Sequence, residues 1–137
     1  MAASVVVDTG PIVALLDADE EHHGWAVAQL ETLRPPLITC QAVLSEASFL
    51  MGRTSADAGC VPDLVVRGLL TVSCLLDEDA RSIADLMRRY RNVPMSFADA
   101  CLVRLVERTP HARLLTLDSD FRVYRQLGRR LIPTLAP

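Results

Sequence analysis

The alternation of short β-forming runs with longer helical patterns constrains the fold of this chain more than any other feature of its sequence. Four such runs each precede a segment whose apolar residues recur at helical spacing: SVVVD, PPLITC, LTVSCL and ARLLTL. Alternation of this kind produces a mostly parallel sheet with helices over both faces. We therefore expect one α/β domain over residues 1–137, with a mostly parallel central sheet of four or five strands flanked by helices on both faces.

Three segments have a less regular pattern. The segment SADAGCVPDLVVRGL is predicted to be helical but interrupted at Pro62, because proline lacks the amide donor that a helix interior needs. The segment SDFRVYRQLG is predicted to form a short helix that closes at Gly128. The segment RLIPTL is a candidate last strand, and Pro133 restricts it to the edge of the sheet.

Composition narrows the class of protein. Half of the residues are apolar and the mean hydropathy is +0.25, which indicates a surface for a partner or for self-association. No apolar run reaches the length of a membrane span, and no apolar signal core follows a basic start. We therefore expect a cytoplasmic protein that does not enter a membrane.

All 14 basic residues are arginines, and the net charge of −3 argues against a non-specific nucleic-acid binder. Two arginine clusters nevertheless occur: Arg88, Arg89 and Arg91, and then Arg122, Arg125, Arg129 and Arg130. A solvated helix face is the preferred interpretation of each cluster, and contact with phosphate is the alternative.

The four cysteines are widely separated, with no Cys-x-x-Cys pair and no histidine at zinc-finger spacing. We interpret them as small buried apolar residues in a reducing compartment rather than as a zinc site. They are Cys40, Cys60, Cys74 and Cys101.

Acidic residues follow the predicted strands. Asp8 ends the first strand, Glu46 lies in the second helical turn after the second strand, and Asp118 follows the fourth. Asp120 comes two residues later, and Asp99 lies at the start of the helix SFADACLVRLVER. In parallel sheets, ligands bind at the carboxyl ends of the strands, so these positions predict a site.

Helix capping is the ordinary explanation for most of these acids. Asp8 and Asp118 each stand where a residue caps a following helix, and Asp120 is a favourable acid in a first turn. Asp99 follows Ser96 by three residues, which is the spacing of a capping box. Its position on the helical wheel also leans towards the apolar stripe, which a simple cap does not require.

Glu46 cannot be explained by capping, because it lies too far inside its helix. Its neighbours one turn away are all apolar: Ala42, Val43, Phe49 and Leu50. We therefore expect Glu46 to point at the core or at a cleft. A carboxylate buried there would be protonated, paired with an arginine from elsewhere, or bound to a cation.

Carboxylates that converge on one sheet edge repel each other unless cations bind between them. Oxygen ligands of this kind select Mg²⁺ or Mn²⁺. Such ions support phosphodiester hydrolysis, since they lower the pKa of a bound water and neutralise the phosphate and the leaving oxygen.

Four segments together resemble, in order and spacing, the four acidic motifs of PIN-domain ribonucleases, and among these the VapC-type toxins of bacterial toxin–antitoxin pairs. The segments are VVVDTGPIVALLD, LITCQAVLSEASFL, MSFADACLV and LLTLDSDF. The resemblance implies a doubly wound α/β domain that forms a homodimer, cleaves RNA with Mg²⁺ or Mn²⁺, and binds a cognate antitoxin protein.

The resemblance also implies roles for individual residues. Asp8, Glu46 and Asp99 match the three main acids, and the fourth matches Asp118 best, with Asp120 as the alternative. Asp8 and Asp99 would be the principal metal ligands, and Glu46 and Asp118 would complete the pocket directly or through water. The supporting hydroxyl positions are Thr9, Ser96 and Thr116.

Two other functions are alternatives. A phosphatase with an aspartate nucleophile would use Asp8, but that class needs a second aspartate two residues later, where this chain has Gly10. A non-catalytic regulatory or binding module would use the acids only for structure and the apolar excess for a partner.

Overall fold

The computed structural model describes residues 4–54, 57–73 and 76–137. In the first half of the chain the elements are β1 (Val5–Val7), α1 (Thr9–Leu16), α2 (His23–Thr32), β2 (Leu37–Cys40), α3 (Gln41–Thr54) and α4 (Cys60–Val66). In the second half they are β3 (Leu70–Ser73), α5 (Leu76–Arg89), α6 (Phe97–Arg108), β4 (Arg113–Leu115), a 3-10 helix (Ser119–Arg122), β5 (Arg125–Gln126), β6 (Arg130–Leu131) and β7 (Thr134–Leu135).

The strands β3, β2, β1, β4 and β7 form one parallel sheet in that order. Val6 of β1 pairs with Ile38 on one side and with Leu114 on the other, so β1 is central. The five parallel strands with their six flanking helices confirm the predicted fold class. The strand order reverses between β1 and β4, and in open α/β sheets the crevice at such a switch point is where ligands bind.

Helix α6 supplies much of the core beside the sheet. Ser96 caps its N-terminus by accepting a hydrogen bond from the amide of Asp99 at 3.0 Å, and Arg108 stands in its last turn. Most of the helix is buried, with Leu102 and Val103 fully so. This packing fixes the first turn of α6, and with it Asp99, against the central strands.

The structure corrects the prediction for the fourth helix. Helix α4 begins at Cys60, so Pro62 lies in its first turn, where no intrahelical amide bond is lost. The predicted interruption is therefore wrong, and residues 58–59 form a turn ahead of the helix. Ser55 and Ala56, at the start of the predicted helical segment, lie outside the described residues.

The C-terminal segment differs from its prediction as well. The helix predicted to close at Gly128 is limited to the 3-10 helix, and the chain then forms an antiparallel β5–β6 hairpin. Gly128 lies in the turn of this hairpin with φ of +79°, a conformation that glycine adopts without strain. After Pro133, β7 pairs with β4 at the edge of the sheet, as Pro133 predicted.

Cys40 and Cys101 are buried and Cys60 is half-buried, as expected of small apolar side chains, whereas Cys74 lies outside the described residues. Among the helices of the described segments, none has both the length and the apolar character needed to cross a membrane.

Candidate functional site

The four acids that the sequence singled out line one open cleft at the switch point of the sheet. The cleft has a volume of about 440 Å³. Its lining consists of Asp8, Thr9, Gly10, Glu46, Leu50, Asp99, Leu117 and Asp118. Five different elements contribute to it, since these residues follow β1 and β4 and lie on α1, α3 and α6.

Asp8 is the most enclosed of the four cleft acids, with 7% of its surface exposed. One carboxylate oxygen accepts a hydrogen bond from the amide of Thr9 at 2.7 Å, so Asp8 caps α1 as the capping interpretation predicted. The other oxygen accepts from the hydroxyl of Thr116 at 2.8 Å. Burial, with a smaller contribution from the nearby charges of Asp99 and Asp118, raises the pKa of Asp8 from 3.8 to about 6, although these two hydrogen bonds lower it.

Glu46 points into the cleft but is exposed to solvent. Helix α3 buries only the stripe Val43, Ala47 and Met51, while Phe49 is 67% exposed. The expectation of a buried carboxylate that needs a counter-charge is therefore wrong for Glu46, because it lies on the open side of the helix with Phe49, although Val43 one turn away is fully buried. Its Oε2 atom accepts a hydrogen bond from the hydroxyl of Thr9 at 3.0 Å, which ties α3 to the residue after Asp8.

Asp99 is half-buried and has two structural partners. Its Oδ2 atom accepts from the amide of Ser96 at 3.4 Å, which completes the predicted capping box, and from the hydroxyl of Tyr124 at 2.9 Å. Burial raises the pKa of Asp99, and the charge of Asp118 adds to this effect, although the hydrogen bonds from Tyr124 and Ser96 lower it.

Asp118 is the acid of the fourth motif that faces the cleft. Its amide donates to the hydroxyl of Thr116 at 2.9 Å, and its Oδ1 atom accepts from the amide of Asp120 at 2.9 Å, which caps the 3-10 helix. Thr116 thus connects Asp118 to Asp8. Asp120 does not line the cleft.

Tyr124 is a site residue that the sequence did not reveal. It is fully buried, and its ring packs edge-on against Tyr90 and Phe121 with centroid distances of 5.1 and 5.2 Å. Its burial and the adjacent charge of Asp99 raise the pKa of its hydroxyl, which therefore stays a hydrogen-bond donor. Because it lies 25 residues beyond Asp99 in a segment predicted to be helical, no local pattern indicated the contact.

The donor set of the cleft is suited to a divalent cation. The lining offers four carboxylates and no basic side chain among the described residues, and hard oxygen donors select Mg²⁺ or Mn²⁺. In the described part of the chain, neither Glu46 Oε1 nor Asp118 Oδ2 has a hydrogen-bond partner within the protein. No three such side chains among the described residues are already placed to hold one ion, so the exposed carboxylates of Glu46 and Asp118 would have to rotate inwards.

Comparison with known proteins supports the fold and the motifs. The PIN domain family model matches residues 5–127, which include all four motifs. None of the curated proteins matches the chain. The crystal structure of VapC20 from Mycobacterium tuberculosis, described as a sarcin-ricin loop cleaving toxin, has a TM-score of 0.81 to this chain. The two sequences are 21% identical over 93% of this chain and 99% of that chain, so this likeness shows the fold alone. The family match, which extends over most of the sequence, shows that the chain belongs to the PIN-domain family.

Proposed function

We propose that this protein is a metal-dependent endoribonuclease that hydrolyses RNA phosphodiester bonds with Mg²⁺ or Mn²⁺. One observation carries the proposal: four carboxylates line a single open cleft at the switch point of the sheet, with no basic side chain beside them among the described residues. An uncompensated cluster of this kind disfavours a site for an anion alone and favours one for a cation.

Within this proposal, Asp8 and Asp99 are the principal metal ligands, because hydrogen bonds from the protein fix the orientation of their carboxylates. Thr116 and the amide of Thr9 orient Asp8, and Tyr124 orients Asp99. Glu46 and Asp118 complete the pocket, directly or through water, and Asp120 stays the alternative fourth acid. A bound divalent ion would supply a water of lowered pKa and neutralise charge on the phosphate.

The chain itself positions the substrate and handles protons. The open cleft admits a phosphodiester from solvent, and the carboxylates of Glu46 and Asp118 lie at its exposed side, where either can accept a proton. Thr9, between Asp8 and Glu46, and Thr116, between Asp8 and Asp118, keep the acids in one hydrogen-bonded array. Ser96 fixes the start of α6 and so the direction of Asp99.

We further propose that the protein is the cytoplasmic toxin of a toxin–antitoxin pair, acts as a homodimer and is inhibited by a cognate antitoxin protein. The support is the shared fold with VapC20, which is described as a sarcin-ricin loop cleaving toxin. Membership in the PIN-domain family supports the nuclease activity independently.

A divalent-ion titration tests the proposal. Thermal unfolding of the metal-free protein is followed as Mn²⁺ or Mg²⁺ is added, for the wild type and for the Glu46→Gln variant, alongside cleavage of total RNA. We expect the ions to raise the unfolding temperature of the wild type, because they bind only the folded state, and we expect Glu46→Gln to weaken this stabilisation and abolish cleavage. Glu31→Gln is the matched control, since Glu31 is also exposed on a helix but lies outside the cleft.

The same experiment addresses the binding-module alternative, which the capping roles of Asp8, Asp99 and Asp118 favour. Absence of both stabilisation by ions and RNA cleavage in the wild type would support that alternative. Cleavage that persists in both Asp8→Asn and Glu46→Gln would show that another site cuts the RNA.

A further inference from the structure

The two arginine clusters of the sequence meet in the folded chain. Arg89, near the C-terminus of α5, donates from Nη2 to the carbonyl oxygen of Gly128 in the β5–β6 turn at 2.7 Å. The hydroxyl of the adjacent Tyr90 accepts from the amide of Arg125 at 3.0 Å. The end of α5 and the hairpin are therefore fixed against each other, although 39 residues separate Arg89 from Gly128.

These arginines carry charges that the protein does not neutralise. In the described residues, Arg88, Arg104 and Arg108 form ion pairs with carboxylates. The other six arginines of the two clusters form no such pair, and we call them the arginine surface: Arg89, Arg91, Arg122, Arg125, Arg129 and Arg130. Arg125 is held rigidly, because its Nη1 atom donates to the carbonyls of Arg122 and Val123 at 2.6 and 2.9 Å. Such bonds to carbonyls position a guanidinium without cancelling its charge.

Positive charge is also concentrated in the C-terminal part of the chain. Residues 119–137 contain four arginines and one acid, whereas the whole chain has a net charge of −3. The acid is Asp120, and in the described residues it forms no ion pair with the arginine surface. Glu107, whose carboxylate accepts from the hairpin amide of Leu127, is already paired with Arg104, so the surface is a positive region on a protein of net negative charge.

The arginine surface begins beside the acid cleft. Arg122 lines a second cleft of about 80 Å³, and Leu117 and Asp118 line both clefts. Tyr124, which precedes Arg125, donates to Asp99. A chain that enters the acid cleft and leaves past Asp118 thus meets Arg122 first and the hairpin arginines beyond it.

We propose that the arginine surface binds the phosphodiester backbone of RNA flanking the bond that is cut. This inference rests on the proposed function, because it assumes that the anionic polymer in the acid cleft is RNA. The position of the arginine surface favours RNA over an acidic protein as its ligand. The arginines adjoin a cleft of carboxylates, and only a substrate that crosses both regions needs a cation at the carboxylates and arginines beyond them. Arginine–phosphate contacts of this kind do not depend on the base sequence of the RNA. Their number determines how steeply the affinity for RNA falls as the salt concentration rises.

The test measures binding separately from cleavage. A labelled single-stranded oligoribonucleotide is titrated with the full chain in EDTA, which prevents cleavage, and anisotropy is followed at several salt concentrations. We expect Arg129→Gln/Arg130→Gln to weaken binding at low salt and to reduce the slope of log affinity against log salt by about 1.4, or about 0.7 for each lost contact. Between about 50 and 200 mM salt the variant would then lose about sevenfold less affinity than the wild type.

The double variant Arg67→Gln/Arg81→Gln is the matched control, because it removes the same charge from two exposed arginines outside the surface. If Arg129→Gln/Arg130→Gln fails to fold, Arg122→Gln replaces it, with an expected reduction in slope of about 0.7.

An unchanged slope in the variant, or an equal reduction in the control, would overturn the inference. So would an unchanged RNA affinity with an altered molecular mass in light scattering, which would identify the surface as a protein contact. RNA cleavage by the wild type in Mn²⁺ is measured in parallel. If the wild type cleaves RNA but the variant has an unchanged slope, only the inference about the arginine surface is overturned. If the slope is reduced but the wild type does not cleave RNA, the arginine surface is supported and the proposed nuclease activity is contradicted.

Discussion

The assembly of this cleft changes the pKa of Asp8, because its carboxylate is buried beside two other acids. Its pKa is 3.8 in an ordinary environment and about 6 in the folded protein, so the folded state binds the proton more tightly. The stability that this proton contributes is fully present below about pH 4 and is lost as the pH rises through about 6. Ionised Asp8 therefore destabilises the metal-free protein at neutral pH.

We expect Asp8→Asn to be more stable than the wild type at about pH 8 without divalent ions, by up to about 3 kcal/mol, since a raised pKa of this size corresponds to that free energy. The amide oxygen of asparagine can still accept from Thr9, so the cap is kept. At about pH 4 the two proteins should be nearly equal in stability. Urea unfolding at both pH values provides the measurement.

Asp118→Asn is the comparison variant, because Asp118 lines the same cleft but is exposed. Destabilisation by Asp8→Asn at both pH values would mean that its hydrogen bonds outweigh the burial of its charge.

Tyr124 provides a second prediction for a single residue. Tyr124→Phe removes the hydroxyl that holds Asp99 and should cost about 1.5–3 kcal/mol of stability, as expected for a hydrogen bond to a charged group. Because Asp99 is then less well oriented, stabilisation by Mn²⁺ should also weaken. Thermal unfolding with and without Mn²⁺ measures both effects.

Tyr90→Phe controls for the loss of a tyrosine hydroxyl in the same aromatic cluster, where the oxygen accepts from Arg125 rather than serving an acid. It should lower stability and leave the Mn²⁺ effect unchanged. Equal Mn²⁺ effects in the two variants would contradict a positioning role for Tyr124.

For single residues, the sequence predicted which acids form the site better than it predicted how deeply each is buried. Their positions after predicted strands indicated that Asp8, Glu46 and Asp118 would converge, and the helical wheel indicated that Asp99 leans towards the core. Helical spacing also placed apolar residues around Glu46, but it could not show that no other element covers Phe49. Burial depends on what packs on a helix, and that information lies elsewhere in the chain.

The pairing of α5 with α6 depends on a buried charge. Asp79 is 5% exposed and accepts hydrogen bonds from Arg104 at 2.9 Å and from Arg108 at 2.6 Å. Burial alone would raise the pKa of Asp79, but the hydrogen bonds from both arginines lower it below its usual value. Its contribution to stability is therefore present above the ordinary pKa of 3.8 and is lost as the pH falls through the lowered value.

We expect Asp79→Ala to lose about 2–3 kcal/mol at neutral pH, somewhat less than for a fully buried pair because both arginines reach solvent. The loss should shrink in strong acid, where the wild-type carboxyl is protonated as well. Urea unfolding across the pH range checks this, with Asp85→Ala as the control for an exposed pair with Arg88. Equal losses in the two variants would contradict the importance of burial.

Elements with strong periodicity and clear end signals were predictable, and short ones were not. Ser96 and the acidic first turn of α5 mark true helix starts. The β5–β6 hairpin has strands of two residues each, too short for a period to appear, and Gly128 is equally compatible with a helix end and a hairpin turn.

For the whole molecule, strand–helix alternation predicted a parallel sheet but not the order of its strands. The reversal between β1 and β4 places Asp8 beside Thr116 and Asp118, and that adjacency creates the cleft. A local pattern specifies each strand, whereas the order is decided by the packing of all elements together. The family resemblance implied a doubly wound domain, but it did not give the order of the strands.

The apolar excess of the sequence appears on the surface of the folded chain. Among the described residues Phe49 is 67% exposed and Val66 82%, and the mean hydropathy of +0.25 suggests that such side chains are covered by a second copy. We expect the protein to have twice the chain mass in light scattering. Because aromatic side chains are common anchors of interfaces, Phe49→Ser should raise the Kd of the dimer by more than about tenfold.

Leu131→Ser is the matched control, since Leu131 is 66% exposed but lies in the hairpin of the arginine surface. We expect it to leave the mass unchanged over the dilution range that separates Phe49→Ser into monomers. Dissociation by Leu131→Ser instead would place the second copy over the hairpin, where it would cover the arginines that the RNA backbone is expected to contact. Measurement of mass against dilution for these two variants therefore decides both where the copies meet and whether the arginine surface is free in the dimer.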